Sequence, residues 1–345
     1  MLIEPRDKII NIIEERGYIY LDEFIDISLK KSKLSYYRSG NPLGKSGDFI
    51  TAPEISQLYG EIIGLFIADF IKKNNFKKFN LIEFGPGKGT LMKDIIRVLK
   101  AIIKNEVVYN VHFIEINKNY QTNLVNQFTD CIIHPSIDTL PTENPIMIAN
   151  EFFDTFPIVQ AQKINEKLYE TIIIKGSNKL IFDKKEIRET YQGLFDLDKL
   201  SNNQIIEISP AINLFFEKLV KYLIKNKGMM MIMDYGYVSE KNISTLQSIK
   251  DNKKTNFLDN IGKQDLTSSI NFNMLLKILD SNQIKNKFIQ TQREFLINNG
   301  INFRAETLIK NNKKKEEEIL EQVSRLTDID KMGHIFKFLQ FSCNL

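Results

Sequence analysis

Apolar and polar positions follow two different periods along this chain, and the change of period divides it. Residues 6–16 set Ile9, Ile10, Ile12 and Ile13 among charged neighbours. That spacing predicts an amphipathic helix closed by Gly17. Residues 21–30 and 55–73 repeat the helical pattern. Between these two, residues 36–53 carry Gly40, Gly44 and Gly47 with Pro42 and Pro53. A long ordered loop is expected there, of a kind more often functional than merely connecting. From residue 79 short apolar runs alternate with helical stretches: a strand over 79–84, a helix over 90–104, a strand over 111–116, a helix over 117–128, then strands at 132–133 and 146–149. Such alternation predicts an α/β fold, a parallel sheet with helices on both faces. The near-continuous apolar runs suit strands buried on both sides. Residues 159–164 and 168–174 flank a turn at 165–167 and read as an inserted β-hairpin. A helix over 211–225, a buried strand over 228–234 and two last strands over 284–291 and 334–342 complete the pattern. The run 313–318, Lys-Lys-Lys-Glu-Glu-Glu, pairs charges on a solvated helical face.

The chain has 345 residues, 43% hydrophobic and 26% charged, which excludes collagen-like and fully disordered classes. Its length corresponds to about two domains, or one elaborated domain. The division expected is a helical cap with an active-site loop over 1–75, a core over 76–155 and 226–345, and a substrate-binding insertion over 156–225. A net charge of +4 is too small to argue for a nucleic-acid partner. Cys131 and Cys343 are too few for a disulfide framework or a multi-cysteine zinc site. The three histidines lack a cysteine or acid at ligand spacing, so no metal is expected. His112 and His334 fall inside apparent strands and read as structural, whereas His134 and Asp138 follow the third strand and are candidates to lie near an adenine. Met229, Met230, Met231 and Met233 read as core. No apolar run reaches the ~18–20 residues of a membrane span; the nearest, 62–71, contains Asp69. The first residues lack a signal-peptide pattern and carry Glu4, Asp7, Glu14 and Glu15, unlike a mitochondrial presequence. A bacterial cytoplasmic protein is the expectation.

Residues 81–90, Leu-Ile-Glu-Phe-Gly-Pro-Gly-Lys-Gly-Thr, run a strand into a glycine turn that opens a helix. Gly85, Pro86, Gly87 and Gly89 permit close approach of a ligand to backbone N–H groups. The third glycine comes one residue too early for a dinucleotide site. Glu83, just before the turn, suits a sulfonium or ammonium better than a pyrophosphate, because like charges repel. Glu115 closes the next strand, where an acid can accept both ribose hydroxyls. Each acid alone could simply cap a strand end. Together with the turn they favour S-adenosylmethionine over NAD. Beyond the fourth strand come Asn150, Glu151 and Asp154, at the sheet edge where ligands of open α/β sheets bind. Asn150 can accept a hydrogen bond from an amine, and Glu151 or Asp154 can accept from a guanidinium; helix capping is the other reading of Asp154. Residues 150–153, Asn-Glu-Phe-Phe, sit where amide methyltransferases carry a proline-containing motif, but lack both prolines. The acid there points to a more basic substrate.

With these residues in view, the chain resembles the MidA-like family of class I methyltransferases. That family includes the mitochondrial protein arginine methyltransferase that assists complex I assembly. The resemblance runs through residues 17–24 with Tyr36 and Tyr37, 47–54 with Ser56, Gln57, Gly60 and Glu61, 83–89, and 149–154 with Pro157. It continues through 234–236, 265–267 with Phe272, then Thr291, Gln292, Phe295, Leu296, Met332, Gly333, Phe336 and Lys337. It implies a Rossmann-like sheet of seven strands with the last antiparallel, an N-terminal helical cap and an insertion after the fourth strand. It implies S-adenosylmethionine on Glu83, Gly85, Gly87 and Glu115, and S-adenosylhomocysteine as product. It also implies a loop over the site that carries Asp48, Phe49, Thr51, Pro53 and Glu54. Thr51 to Glu54 equally reads as a helix N-cap with an acid in the first turn. The partner implied is a protein with a basic segment, a complex I subunit among the candidates; a homodimer is left open. Two departures stand out. Ile116-Asn117-Lys118 replaces the family's Ser-Pro after the acid, and 265–272 lacks a His and a second Asp. An amide or small-molecule methyltransferase and a non-catalytic assembly factor are the alternatives on the same fold.

Overall fold

The computed structural model describes residues 3–40, 47–48, 50–103, 107–195, 200–239 and 241–343. Seven strands form the main sheet. We number them β1 (Lys78–Phe84), β2 (Val108–Ile114), β3 (Ile132–His134), β4 (Pro145–Asn150), β5 (Met229–Tyr237), β6 (Lys287–Thr291) and β7 (Phe336–Ser342). Their spatial order is β3-β2-β1-β4-β5-β7-β6, and a short strand Ile270–Asn271 adds beside the end of β5. Strands β1 to β5 are mutually parallel, while β7 runs antiparallel to both β5 and β6. The apolar runs of β1, β4 and β5 are buried along nearly their whole length because both faces are covered. Ile146, Ile148, Met229, Met231 and Met233 pack on one face with the helices Gln57–Lys73 and Thr90–Ile102. Met147, Met230 and Ile232 pack on the other with Pro210–Asn226 and Phe272–Ser281. The methionines are core, as their pattern predicts.

Gln57–Lys73 lies close against Thr90–Ile102, and glycine allows it. A Cβ on Gly60 would stand 2.6 Å from the Asp94 Cβ, and one on Gly64 would stand 3.0 Å from the Val98 Cβ. The first helix, Pro5–Arg16, ends at Gly17 with φ +86, the left-handed closure expected from the sequence. Leu21–Asp26 continues into a wide π turn, Ile27–Lys31.

A second, five-stranded sheet is built by Val159–Ile164, Lys167–Lys175, Leu180–Glu186, Ile205–Ile208 and, from the N-terminal segment, Ile19–Tyr20. The expected hairpin is its centre, with Ile164 opposite Lys167. Leu180–Glu186 and Ile205–Ile208 are additions to the expectation. The first is exposed beyond Leu180 and runs three apolar residues into four charged ones, so no apolar alternation marks it. Two expectations need correction. β2 ends at Ile114, which puts Glu115 just past the strand. His334 lies outside β7, exposed, after the turn Ile329–Gly333. Lys313 and Glu316 do pair at 2.9 Å on an exposed surface. Among the described residues no helix is long and apolar enough to cross a membrane.

Candidate active site

β1 empties into the glycine turn. Gly85, Gly87 and Gly89 all have positive φ, at +63°, +54° and +75°. Side chains there would be strained and crowded: a Cβ on Gly85 would meet the Phe152 ring at 3.0 Å, and one on Gly89 would meet Phe128 at 2.7 Å. A cavity of about 320 Å³ lies against this turn. Glu83, Glu115, Asn150, Glu151 and Asp154 reach its wall, with Thr51, Pro53 and Glu54. The sheet's topology causes this meeting, since the turn after β1, Glu115 after β2 and Asn150 at the end of β4 all leave the same edge.

Two acids stand at the glycine end. Glu83 is buried and its Oε2 has no hydrogen-bond partner among the described residues. Burial and the neighbouring Glu115 push its carboxyl up to about 8. Glu115 accepts the Gly87 N–H on Oε2 at 3.2 Å and the Asn117 N–H on Oε1 at 2.7 Å. Burial raises it to about 7, against the pull of those backbone bonds. A buried acceptor left without a donor costs about 1–3 kcal/mol. Glu83 therefore keeps an acceptor that no described residue satisfies. The donors of S-adenosylmethionine fit this set: an ammonium for Glu83, hydroxyls for Glu115, and room at the glycines for close backbone contact.

The other end of the cavity is acidic as well. Glu151 has φ +48°, a conformation non-glycine residues seldom adopt. Its N–H donates to the Met233 carbonyl of β5 at 2.8 Å. Its Oε1 accepts from Asn150 Nδ2 and from the Ala52 N–H, each at 3.3 Å. Burial, then Asp154, pushes it up to about 8. Asp154 is buried, and its Oδ1 has no partner among the described residues. Burial pushes it up to about 6, opposed by a Tyr235 hydrogen bond and by Lys30. Its backbone N–H and that of Phe153 are held by Asp234 Oδ2 at 3.2 and 3.1 Å. Lys30 sets its ammonium 4.2 Å from the Phe156 ring centroid, and burial lowers it to about 8. Tyr37 donates its hydroxyl to Asp265 Oδ1 at 2.7 Å, and burial raises that acid to about 8.

Not every candidate stands as the sequence has it. Asn150 Oδ1 is taken by the Tyr59 hydroxyl at 2.8 Å, so Asn150 turns its donor to Glu151 and orients it. One of the two lone pairs of that oxygen is thereby already filled by the protein. Thr51 occupies the N-cap position of Ala52–Ile55 but makes no side-chain cap bond. Glu54 is engaged by the Thr90 hydroxyl and lies 3.9 Å from Lys88 Nζ. Asp48 is not brought to the cavity: it accepts from the Tyr36 hydroxyl at 2.6 Å and the Asp251 N–H at 2.7 Å. Asp138 is exposed and pairs with Lys218 at 2.5 Å, away from the cavity. His134 stacks its polarity against His112 at 2.9 Å instead of facing a ligand. Phe49 lies outside the described residues. Lys30 and Phe156 reach the wall without a motif to announce them, whereas Phe152 belongs to the 150–153 motif. Tyr37 was visible only through the resemblance.

This strand order, the antiparallel seventh strand and an acid–glycine–acid cleft at the strands' C-terminal ends define a class I S-adenosylmethionine-dependent methyltransferase. The model of the S-adenosyl-L-methionine-dependent methyltransferase family matches residues 62–289, and the chain belongs to that family, the MidA-like methyltransferases. It is 28% identical to "Protein arginine methyltransferase NDUFAF7, mitochondrial" of Danio rerio, over 93% of this chain and 83% of the relative. The protein of that name in Homo sapiens is 26% identical over 94% of this chain and 80% of the relative. A COG1565 superfamily member from Burkholderia thailandensis, solved bound to S-adenosyl-homocysteine, shares the fold at a TM-score of 0.84. It is 19% identical and the match covers 98% of this chain and 91% of that one. The expectation of a MidA-like methyltransferase using S-adenosylmethionine is borne out.

Proposed function

We propose that this methyltransferase acts on the guanidinium of an arginine in a basic protein segment, with a subunit of respiratory complex I as its target. The observation that carries the reading is the orphaned Oδ1 of Asp154, buried in the same cavity as Glu151. A guanidinium brings five N–H donors in a planar fork and is the natural partner for two such acids. The names of the mitochondrial relatives support arginine as the target.

The residues divide the work. S-adenosylmethionine, when bound, supplies an electrophilic methyl on a sulfonium. Glu83 would take its ammonium, Glu115 its ribose hydroxyls, and Gly85 and Gly87 would let it lie against the backbone. Asn150, fixed by Tyr59, and the Ala52 N–H hold Glu151 by Oε1, which leaves Oε2 to face the guanidinium. Glu151 and Asp154 localise the substrate's positive charge and free a lone pair on the nitrogen aimed at the methyl. Holding that nitrogen in line is most of the catalysis required. The proton displaced from the methylated nitrogen passes to Asp154, whose proton affinity is already raised.

Asp154→Asn tests this. S-adenosylhomocysteine affinity measured by calorimetry should stay within about threefold, which also reports that the fold survives. Methylarginine formation in an arginine-rich peptide library should fall by about two to three orders of magnitude, the scale of losing a buried charged partner. Undiminished methylarginine in that variant would sink the proposal.

A further inference from the structure

Asn117 is 1% exposed and uses every hydrogen-bonding group it has. Its backbone N–H donates to Glu115 Oε1 at 2.7 Å. Its Oδ1 caps the helix Lys118–Gln127, accepting from the Asn119 N–H at 2.9 Å and the Tyr120 N–H at 3.3 Å. Its Nδ2 reaches across to the N-terminal segment and donates to two carbonyls, Tyr37 at 3.1 Å and Gly40 at 2.9 Å. Two backbone donors on one side and two carbonyls on the other leave no doubt which atom is nitrogen. Tyr37 lines the cavity and spends its hydroxyl on Asp265. One residue, by its backbone N–H on one side and its side-chain amide on the other, thus joins the acid at the ribose position to a wall of the substrate end.

We propose that Asn117 is a positioning residue that ties the short helix Tyr36–Ser39 and Gly40 to Glu115, so that cofactor binding sets the substrate wall. The inference rests on the cofactor assignment made above for Glu115. Ribose hydroxyls donating to Glu115 hold its carboxylate in place. That fixes the Asn117 backbone, and the side chain transmits the constraint about one side-chain length to residues 37 and 40. Coupling of this kind is reciprocal: whatever orders the wall must also tighten the cofactor. Asn117 touches neither reacting atom, so its effect appears as order in the wall and not as chemistry.

The experiment is hydrogen–deuterium exchange at the amides of Arg38, Ser39 and Gly40, which close the short helix on Ser35 and Tyr36. S-adenosylhomocysteine is the probe. In the native chain it should slow exchange at these amides by about tenfold, equivalent to about 1.4 kcal/mol of added protection. Asn117→Ser keeps a helix-capping hydroxyl but is too short to reach residues 37 and 40. With the probe saturating, it should lose the slowing and, by the same reciprocity, bind S-adenosylhomocysteine about tenfold more weakly than the native chain. Tyr37→Phe, which leaves the Asn117 bonds and removes only the phenol on Asp265, should retain it. Equal slowing in Asn117→Ser, or its loss in Tyr37→Phe, would overturn the assignment. Slowing absent from a native chain that binds the probe would do the same. A native chain that fails to bind the probe would remove the cofactor reading, and this inference with it.

Discussion

Glu151 combines a left-handed backbone with a carboxyl bonded at one oxygen and held up to about 8 by burial. Its protonated form dominates at neutral pH in the empty cavity, and a guanidinium must displace that proton. Because kcat/KM reports the free enzyme, it should rise with pH toward about 8 and level off above it. Measured for the peptide with S-adenosylmethionine saturating, so that Glu83 is already paired, Glu151→Gln should lower the plateau and flatten that rise; a native profile already flat between pH 6 and 8 would contradict the role. Glu83 and Glu115 were legible in the sequence because strand ends and a glycine turn place them whatever the side-chain packing does. The role of Asn150 was not legible. Which of its two amide atoms faces the cavity is decided by Tyr59, 91 residues away. Lys30 was not legible either, since it sits in a lysine-rich stretch and only the π turn Ile27–Lys31 carries it to the wall.

Elements show a different balance. The strands of the main sheet were readable because burial on both faces leaves continuous apolar runs, and Gly17 marked its helix end for a local reason. Leu180–Glu186 was hidden because it takes its order from pairing with Lys167–Lys175 and not from a buried face. Gly60 was visible through the resemblance, but with no structural task attached to it. The structure gives it a task, since the helix Gln57–Lys73 could not otherwise lie so near Asp94. Asp94 itself is buried and pairs with Arg97 at 2.7 Å. Gly60→Ala would add helix propensity but force the two helices apart. Overpacking of this kind costs about 1–3 kcal/mol, more than the ~1 kcal/mol gained from propensity. The variant should unfold at lower urea concentration than the native chain with an unchanged slope. A variant as stable as the native chain would show that the helices can shift freely.

At the scale of the molecule, three carboxyls are each held up to about 8: Glu83 and Glu151 on the cavity wall, and Asp265, which accepts from the wall residue Tyr37. Their folded-state proton affinity exceeds that of the unfolded chain. Their contribution to stability is therefore complete below the ordinary carboxyl range and is lost as pH rises toward about 8. Thermal melts of the ligand-free protein should fall between pH 5 and 8. S-adenosylhomocysteine at about 100 times its dissociation constant should restore about 2.7 kcal/mol. A melting temperature that rises over this range would mean the acids are ionised and paired. The main sheet also sets an order of events. Its central strands come early in the chain, but β7, residues 336–342, lies between β5 and β6. On the ribosome, β5 and β6 must each wait with an unpaired edge until the strand that joins them has emerged. The completed half of the sheet can already hold its glycine turn while the other half is still an open template, and for that interval the nascent chain is most exposed to wrong partners.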